Sequence, residues 1–173
     1  MNCKKKKGFT LVELLVVIAI IGILAAVGVT ALSGARAKAR DAKRVADMKQ
    51  VQSGLELYYN DKAGYPGEAT SVALGKSPKT ILCSGATTTG FVDAMCTGDP
   101  VATYMGMVPK DPQSTDTTSA CTASSTATCD YGYESDATTV FQIYFWLEAP
   151  TSGLNAGLNC ANQNGIKSGA TCP

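Results

Sequence analysis

"KKKKGFTLVELLVVIAIIGILAAVG", residues 4–28, decides the architecture of this 173-residue chain. Four lysines precede an apolar run that carries one acid, Glu13, and no other charge until Arg36. From Leu14 to Ala35 the run holds about 22 uncharged residues, and at about 1.5 Å rise per residue such a helix covers about 33 Å, enough to cross a hydrocarbon core. A carboxylate at the edge of a membrane span is costly. A plain anchor has no use for it.

Two simpler readings compete. In a secretory signal peptide, Lys4–Lys7 form the positive region and Ala35-Arg36-Ala37 the cleavage site, but the run exceeds the usual apolar core of about 7–15 residues. A single-span anchor fits the length. Neither accounts for Glu13. Orientation by charge is also divided, because Arg36, Lys38, Arg40, Lys43 and Arg44 flank the far end of the span. The cysteines decide it: a disulfide-bearing tail belongs outside the cytoplasm, which places Lys4–Lys7 inside.

Hydrophobic residues make up 45% of the chain and charged residues 17%, which suits a membrane-linked or exported protein. The formal charge of +1 hides an asymmetry: ten of the 15 Lys and Arg fall within residues 1–59, and ten of the 14 acids fall beyond them. Of the seven cysteines, Cys3 lies ahead of the apolar run, leaving Cys83, Cys96, Cys121, Cys129, Cys160 and Cys172 as an even set. Three disulfides fit that set. Zinc is the competing reading, but there is no C-x2-C pair and no His, so no metal site is expected.

Beyond the span the helical pattern continues. Ala42, Val45, Met48, Gln52, Leu55 and Tyr59 recur at three- and four-residue steps, widened by Val51 and Tyr58, while Arg40, Lys43, Arg44, Asp47, Lys49 and Glu56 lie mostly off that stripe. Asn60, Asp61, Gly64 and Pro66 supply the stop signals. One helix from Leu14 to Tyr59 is about 70 Å long, beyond the reach of any small core, so half of it must be covered by something else.

Gly8-Phe9-Thr10-Leu11-Val12-Glu13, with lysines before and the apolar run after, resembles the class III signal of type IV pilins and pseudopilins. "ADMKQVQSGLELYYNDKAGYP", from Ala46 to Pro66, is similar to the end of the pilin stem helix and the turn beyond it. The resemblance covers roughly the first 66 residues. It implies that a prepilin peptidase cuts after Gly8 and methylates the new amino group of Phe9. It further implies that Glu13 pairs with that amine on a neighbouring subunit during assembly. Physical chemistry agrees, since two charges that are each costly in lipid become tolerable once paired. The implied partners are further copies of the chain in a helical homopolymer, the prepilin peptidase, an inner-membrane assembly platform, and the membrane itself before assembly. Many members of the family carry a proline near Thr30, where the stem unwinds. Here the proline is absent, and Gly22 and Gly28 form a candidate weak point, with close helix packing as the equal alternative.

Four segments follow: a cleaved leader over 1–8, a membrane and polymerisation helix over 9–35, an amphipathic stem over 36–60 and a β-rich head over 61–173. The expected class is α+β, a long helical stem on a small antiparallel sheet with disulfide-closed loops. In the head, Val140–Glu148 alternates Phe141, Ile143, Phe145 and Leu147 with polar or aromatic residues and pairs with Asp130–Glu134 across a turn at Ser135–Thr138. A weaker strand is expected near Val101–Val108. Residues 111–129 and 150–172 read as polar connectors, flexible unless cross-linked. Pairing of sequence neighbours, Cys83–Cys96, Cys121–Cys129 and Cys160–Cys172, is preferred among about 15 possible connectivities.

No catalytic residues stand out: without His there is no nucleophile–base arrangement, and no phosphate-cradling glycine motif or cofactor site is present. The functions left are a pilus subunit for adhesion, motility or DNA uptake, the major pseudopilin of a type II secretion system, or a monomeric membrane-anchored binding module. Pseudopilins of that kind bind calcium in an acidic loop after the last strands, and here Glu148 is the sole acid after Asp136, which favours the pilus. Nucleic acid is a partner only at the level of a whole filament, since the Arg36–Arg44 cluster is expected at the membrane surface and then beneath the heads. The expected location is the inner membrane for the precursor and an extracellular filament after assembly.

Overall fold

The computed structural model describes residues 8–172, apart from the side chains of 29–31. The lysine leader and Cys3 lie outside the described residues. The chain divides into two compact units, one ending at Ala37 and one beginning at Lys38.

A single helix, α1, runs Leu11–Lys62, longer at both ends than the apolar pattern predicts. Thr10 caps its start. At the other end the helix carries through Asn60 and Asp61 and closes where Ala63 turns left-handed, φ 54°, its N–H donating to the Tyr59 carbonyl at 2.8 Å. Within the first unit the large apolar side chains, among them Leu15, Ile18, Ile21 and Leu24, are exposed on all faces.

The second unit holds two antiparallel sheets. Eight strands follow the helix: β1 Glu68–Ala73, β2 Ile81–Ser84, β3 Thr89–Val92, β4 Ala102–Met105, β5 Gly132–Ser135, β6 Phe141–Leu147, β7 Gly157–Asn162 and β8 Gly165–Ser168. Five of them form a sheet in the order β1-β5-β6-β7-β8, and the other three a smaller one in the order β3-β2-β4. This is the α+β architecture, helix followed by antiparallel sheets, that the resemblance implies. The β5–β6 hairpin pairs Ser135 with Phe141 and Tyr133 with Ile143. Asp136 holds its turn, one carboxylate oxygen accepting the backbone N–H groups of Thr138, Thr139 and Val140 at 2.8–3.1 Å.

One core joins helix and sheets. Val45, Met48, Val51, Leu55 and Tyr58 of α1 pack with Phe141, Ile143, Phe145 and Leu147 of β6, with Tyr131 and Tyr133, and with Leu82, Phe91 and Met105 of the small sheet. The period of two in β6 sends these four residues to the helix side. Tyr144 points the other way and is also buried, beneath a second cluster of Cys121, Cys129 and Cys160 with Trp146, Leu158 and Cys172 at its margin. Disulfides link Cys83–Cys96, Cys121–Cys129 and Cys160–Cys172. The last two draw polar loops over the outer face of the larger sheet, where Tyr144 is buried.

Four sequence expectations are corrected. Residues 150–172, read as a polar connector, contain β7 and β8, a hairpin whose polar composition hides its pairing with β6. The strand expected near Val101–Val108 exists as β4 but belongs to the separate small sheet. Ala42 is exposed, while Asp41, Arg44 and Asp47 are buried. A hydrophobic stripe counts only apolar residues, and here the buried face of the stem continues toward its N-terminal side as charges that neutralise one another. For the same reason the expected placement of the whole Arg36–Arg44 cluster at a membrane surface fails at Arg44, which lies in the interior of the second unit.

Candidate functional site

Two constructions stand out, one in each unit. In the first, Thr10 and Glu13 form a capping box. The Glu13 carboxylate accepts the Thr10 backbone N–H at 2.8 Å and the Thr10 hydroxyl at 2.7 Å, and the Glu13 N–H donates to Thr10 Oγ1 at 3.3 Å. This reciprocal arrangement satisfies donors that a helix start leaves open. The sequence held the signal, a Thr followed three residues later by Glu, and the reading for intersubunit pairing passed over it. Phe9 is 82% exposed. A Cβ placed on Gly8, Gly22 or Gly28 meets nothing within 4 Å among the described residues, so no packing seen there requires glycine at these three positions. The helix is long and apolar enough to cross a membrane.

In the second unit Arg44 anchors the stem. Its Nε and one terminal nitrogen grip Asp111 at 2.6 and 3.0 Å. The other nitrogen donates to Asp41 at 2.7 Å and Glu148 at 2.8 Å, and Gln113 Oε1 accepts the fifth bond at 2.9 Å. All five guanidinium donors are therefore used. Arg40 adds a two-point contact to Glu148 at 2.7 and 2.5 Å. Asp41 accepts the backbone N–H groups of Glu148 and Ala149 at 3.0 and 2.8 Å, which fixes the chain as it leaves β6. One helical turn on, buried Asp47 accepts the Tyr131 hydroxyl at 2.8 Å.

These contacts set the charge states. The hydrogen bond from Arg40 leads the effects that hold the Glu148 carboxyl down at about 2, with burial opposing and Arg44 assisting. Burial pushes the Asp47 carboxyl up, against the stabilising bond from Tyr131. The acids of this cluster are engaged with arginine or backbone donors, so the cluster clamps stem to head and offers no reactive group. Asp41 and Arg44 sit at a helical spacing visible in the sequence. Their partners at positions 111 and 148 come from loops that no local pattern connects to the stem.

The family model of the prokaryotic N-terminal methylation motif matches residues 3–29, a span that includes Gly8, Phe9, Glu13, Gly22 and Gly28. The motif, with the long apolar helix and the antiparallel sheets after it, agrees with the resemblance to type IV pilins and pseudopilins. Among curated proteins, the type II secretion system core protein G of Dickeya chrysanthemi is 40% identical over 78 residues, 44% of this chain. The chain spans about half the length of that relative, 51%. No solved structure matches.

Proposed function

We propose that this chain is a structural subunit of a pilin-like filament. The family is structural, not enzymatic. The observation that carries the reading is the methylation motif over residues 3–29, at the start of a helix whose described apolar side chains in the first unit are exposed all round. Such a surface demands a cover, lipid before assembly and other copies of the helix after it. The precursor sits in the inner membrane with its lysines in the cytoplasm, and the peptidase cuts after Gly8 and methylates Phe9. The segments act in order: leader 1–8, polymerising helix 9–35, stem 36–60, head 61–173. The Glu13 carboxylate, satisfied within its own helix start by Thr10, gains a second partner when the Phe9 amine of a neighbour arrives. The glycines at 22 and 28 serve contacts between chains or a local loosening of the helix.

The finer role divides on two observations. The likeness to a type II secretion core protein favours a secretion pseudopilus, a short piston that moves folded cargo. The tail after β6 favours a pilus for adhesion, motility or DNA uptake, because Glu148 is taken by Arg40 and Arg44 and the last loop is closed by Cys160–Cys172.

Side-by-side assembly of Glu13→Ala, Glu13→Gln and Thr10→Ala in producing cells tests the pairing. Glu13→Ala is expected to insert at wild-type level, to be cleaved normally and to yield few sheared filaments, with Glu13→Gln intermediate. Thr10→Ala removes the cap and leaves the charge, so it is expected to assemble better than Glu13→Ala. Equal defects in the two alanine variants would reduce Glu13 to a helix cap. Negative-stain imaging of the same cells separates the roles: long abundant filaments of this chain indicate a pilus, and their absence with loss of exported cargo indicates the secretion piston.

A further inference from the structure

Lys76, between β1 and β2, ends in an oxygen nest that the filament reading does not use. Its Nζ lies 2.6 Å from the Thr115 carbonyl, 3.1 Å from the Thr118 carbonyl and 2.9 Å from Asp130 Oδ2. Asp130 is 1% exposed, and its second oxygen, Oδ1, is buried with no hydrogen-bond partner among the described residues. An orphaned buried carboxylate oxygen is costly and calls for an occupant. The nest is shaped independently of Lys76. The Thr118 N–H donates to the Thr115 carbonyl at 3.1 Å, their hydroxyls meet at 2.7 Å, and Asp130 exchanges backbone bonds of 2.8 Å with Ser119 and Cys121. An open cavity of about 400 Å³ borders the nest at Lys76 and Thr115, with Lys110, Ser114 and Asp116 also in its lining.

The geometry points to a cradle for a small hard cation, built from the Thr115 and Thr118 carbonyls and the Asp130 carboxylate, in which the Lys76 ammonium is the resident cation. Two carbonyls and a carboxylate are oxygen donors of the kind that Ca²⁺ takes, with water completing its shell of about 6–8 oxygens. The ammonium offers three donors, and the three oxygens it reaches use all of them. Asp130 Oδ1 is left over, the one oxygen that a divalent ion would recruit and Lys76 cannot. The Thr115–Thr118 turn is thereby tied to Asp130 by a tethered charge, with no dissolved metal required. Removing the tether exposes a Ca²⁺ site.

The test uses the full-length chain in detergent, with melting curves and calcium titration calorimetry on wild type, Lys76→Met, Lys76→Arg and the Lys76→Met/Asp130→Asn double variant. Wild type and Lys76→Arg are expected to melt alike in chelator and in millimolar Ca²⁺. Lys76→Met is expected to melt ~5 °C lower in chelator and to regain at least half of that loss in Ca²⁺, as a bound ligand stabilises by mass action. It should bind Ca²⁺ at least about tenfold more tightly than wild type, and the double variant should show neither recovery nor binding. If Lys76→Met does not fold in chelator, folding on addition of Ca²⁺ supports the cradle and continued failure overturns it. Wild-type binding as tight as that of Lys76→Met, or a Lys76→Met melting loss that Ca²⁺ leaves unchanged, also overturns it.

Discussion

Arg44 spends all five of its donors inside the second unit, on Asp111, Asp41, Glu148 and Gln113. Removing one partner of a buried ionic cluster leaves the others desolvated and unpaired, at a cost of about 3–5 kcal/mol. Arg44→Met is therefore expected to lower the unfolding free energy by about 3 kcal/mol or more, measured by chemical denaturation. Arg44→Lys recovers only part, because a single ammonium cannot reproduce the two-point grip on Asp111. Glu148 supplies a pH dependence. Its carboxyl is held at about 2, below the ordinary 4.5. The native state thus releases that proton more readily than the unfolded chain, and the stabilisation is full above pH 4.5 and lost as pH falls toward 2. Glu148→Gln is expected to flatten the fall in melting temperature across that window, and an unchanged slope would show that Glu148 is not the group responsible. A smaller effect belongs to Ala137, which sits left-handed at φ 65° in the β5–β6 turn. That conformation costs a non-glycine residue about 1–2 kcal/mol, and glycine surrenders part of the gain through its greater freedom when unfolded. Ala137→Gly should raise stability by about 0.5–1 kcal/mol.

Among the elements, α1 was the most legible, because its apolar run, its amphipathic continuation and the Gly64 and Pro66 beyond its end are local signals. Its first residue depended on Thr10 as cap, a side-chain bond that hydropathy does not register. β6 was legible for the same kind of reason: Phe141, Ile143, Phe145 and Leu147 alternate strictly. β7 and β8 were not, since Asn159, Asn162 and Lys167 dilute their pattern and their order comes from pairing with β6 and from the Cys160–Cys172 bond. In the small sheet only β4 left a signal, because β2 and β3 are strands of four residues that pack with Leu55 and Tyr58 of the stem. The clamp around Arg44 could not be read at all, because ion pairs between positions 44, 111 and 148 leave no trace in either periodicity. Gln52 is the element-scale tie between stem and terminal hairpin, donating to the Asn162 carbonyl at 2.6 Å and more distantly to that of Gly165 at 3.4 Å. Gln52→Ala is expected to cost about 1 kcal/mol and to raise amide exchange in residues 157–168 while leaving β5 unaffected. Uniform acceleration across both sheets would mean that the tie is not local.

At the scale of the whole chain, the two units carry different tasks. The unit beginning at Lys38 is closed by its own core, its clamp and three disulfides. The apolar side chains described in the first unit are exposed. That division underlies the proposal of a subunit that folds its head alone and completes its helix only among copies of itself. Loss of the four leader lysines takes the formal charge from +1 to −3, which removes the group least able to enter a bundle of apolar helices. Leader removal is therefore the step on which everything else in the proposal depends. Mass spectrometry of the N-terminal peptide from the mature chain, taken from producing cells, tests it most directly. The account predicts a first residue of Phe9 carrying one N-methyl group, with Gly8 and the lysines gone. A mature chain beginning at Lys38, cut after Ala35-Arg36-Ala37 as an ordinary exported protein is, would contradict it.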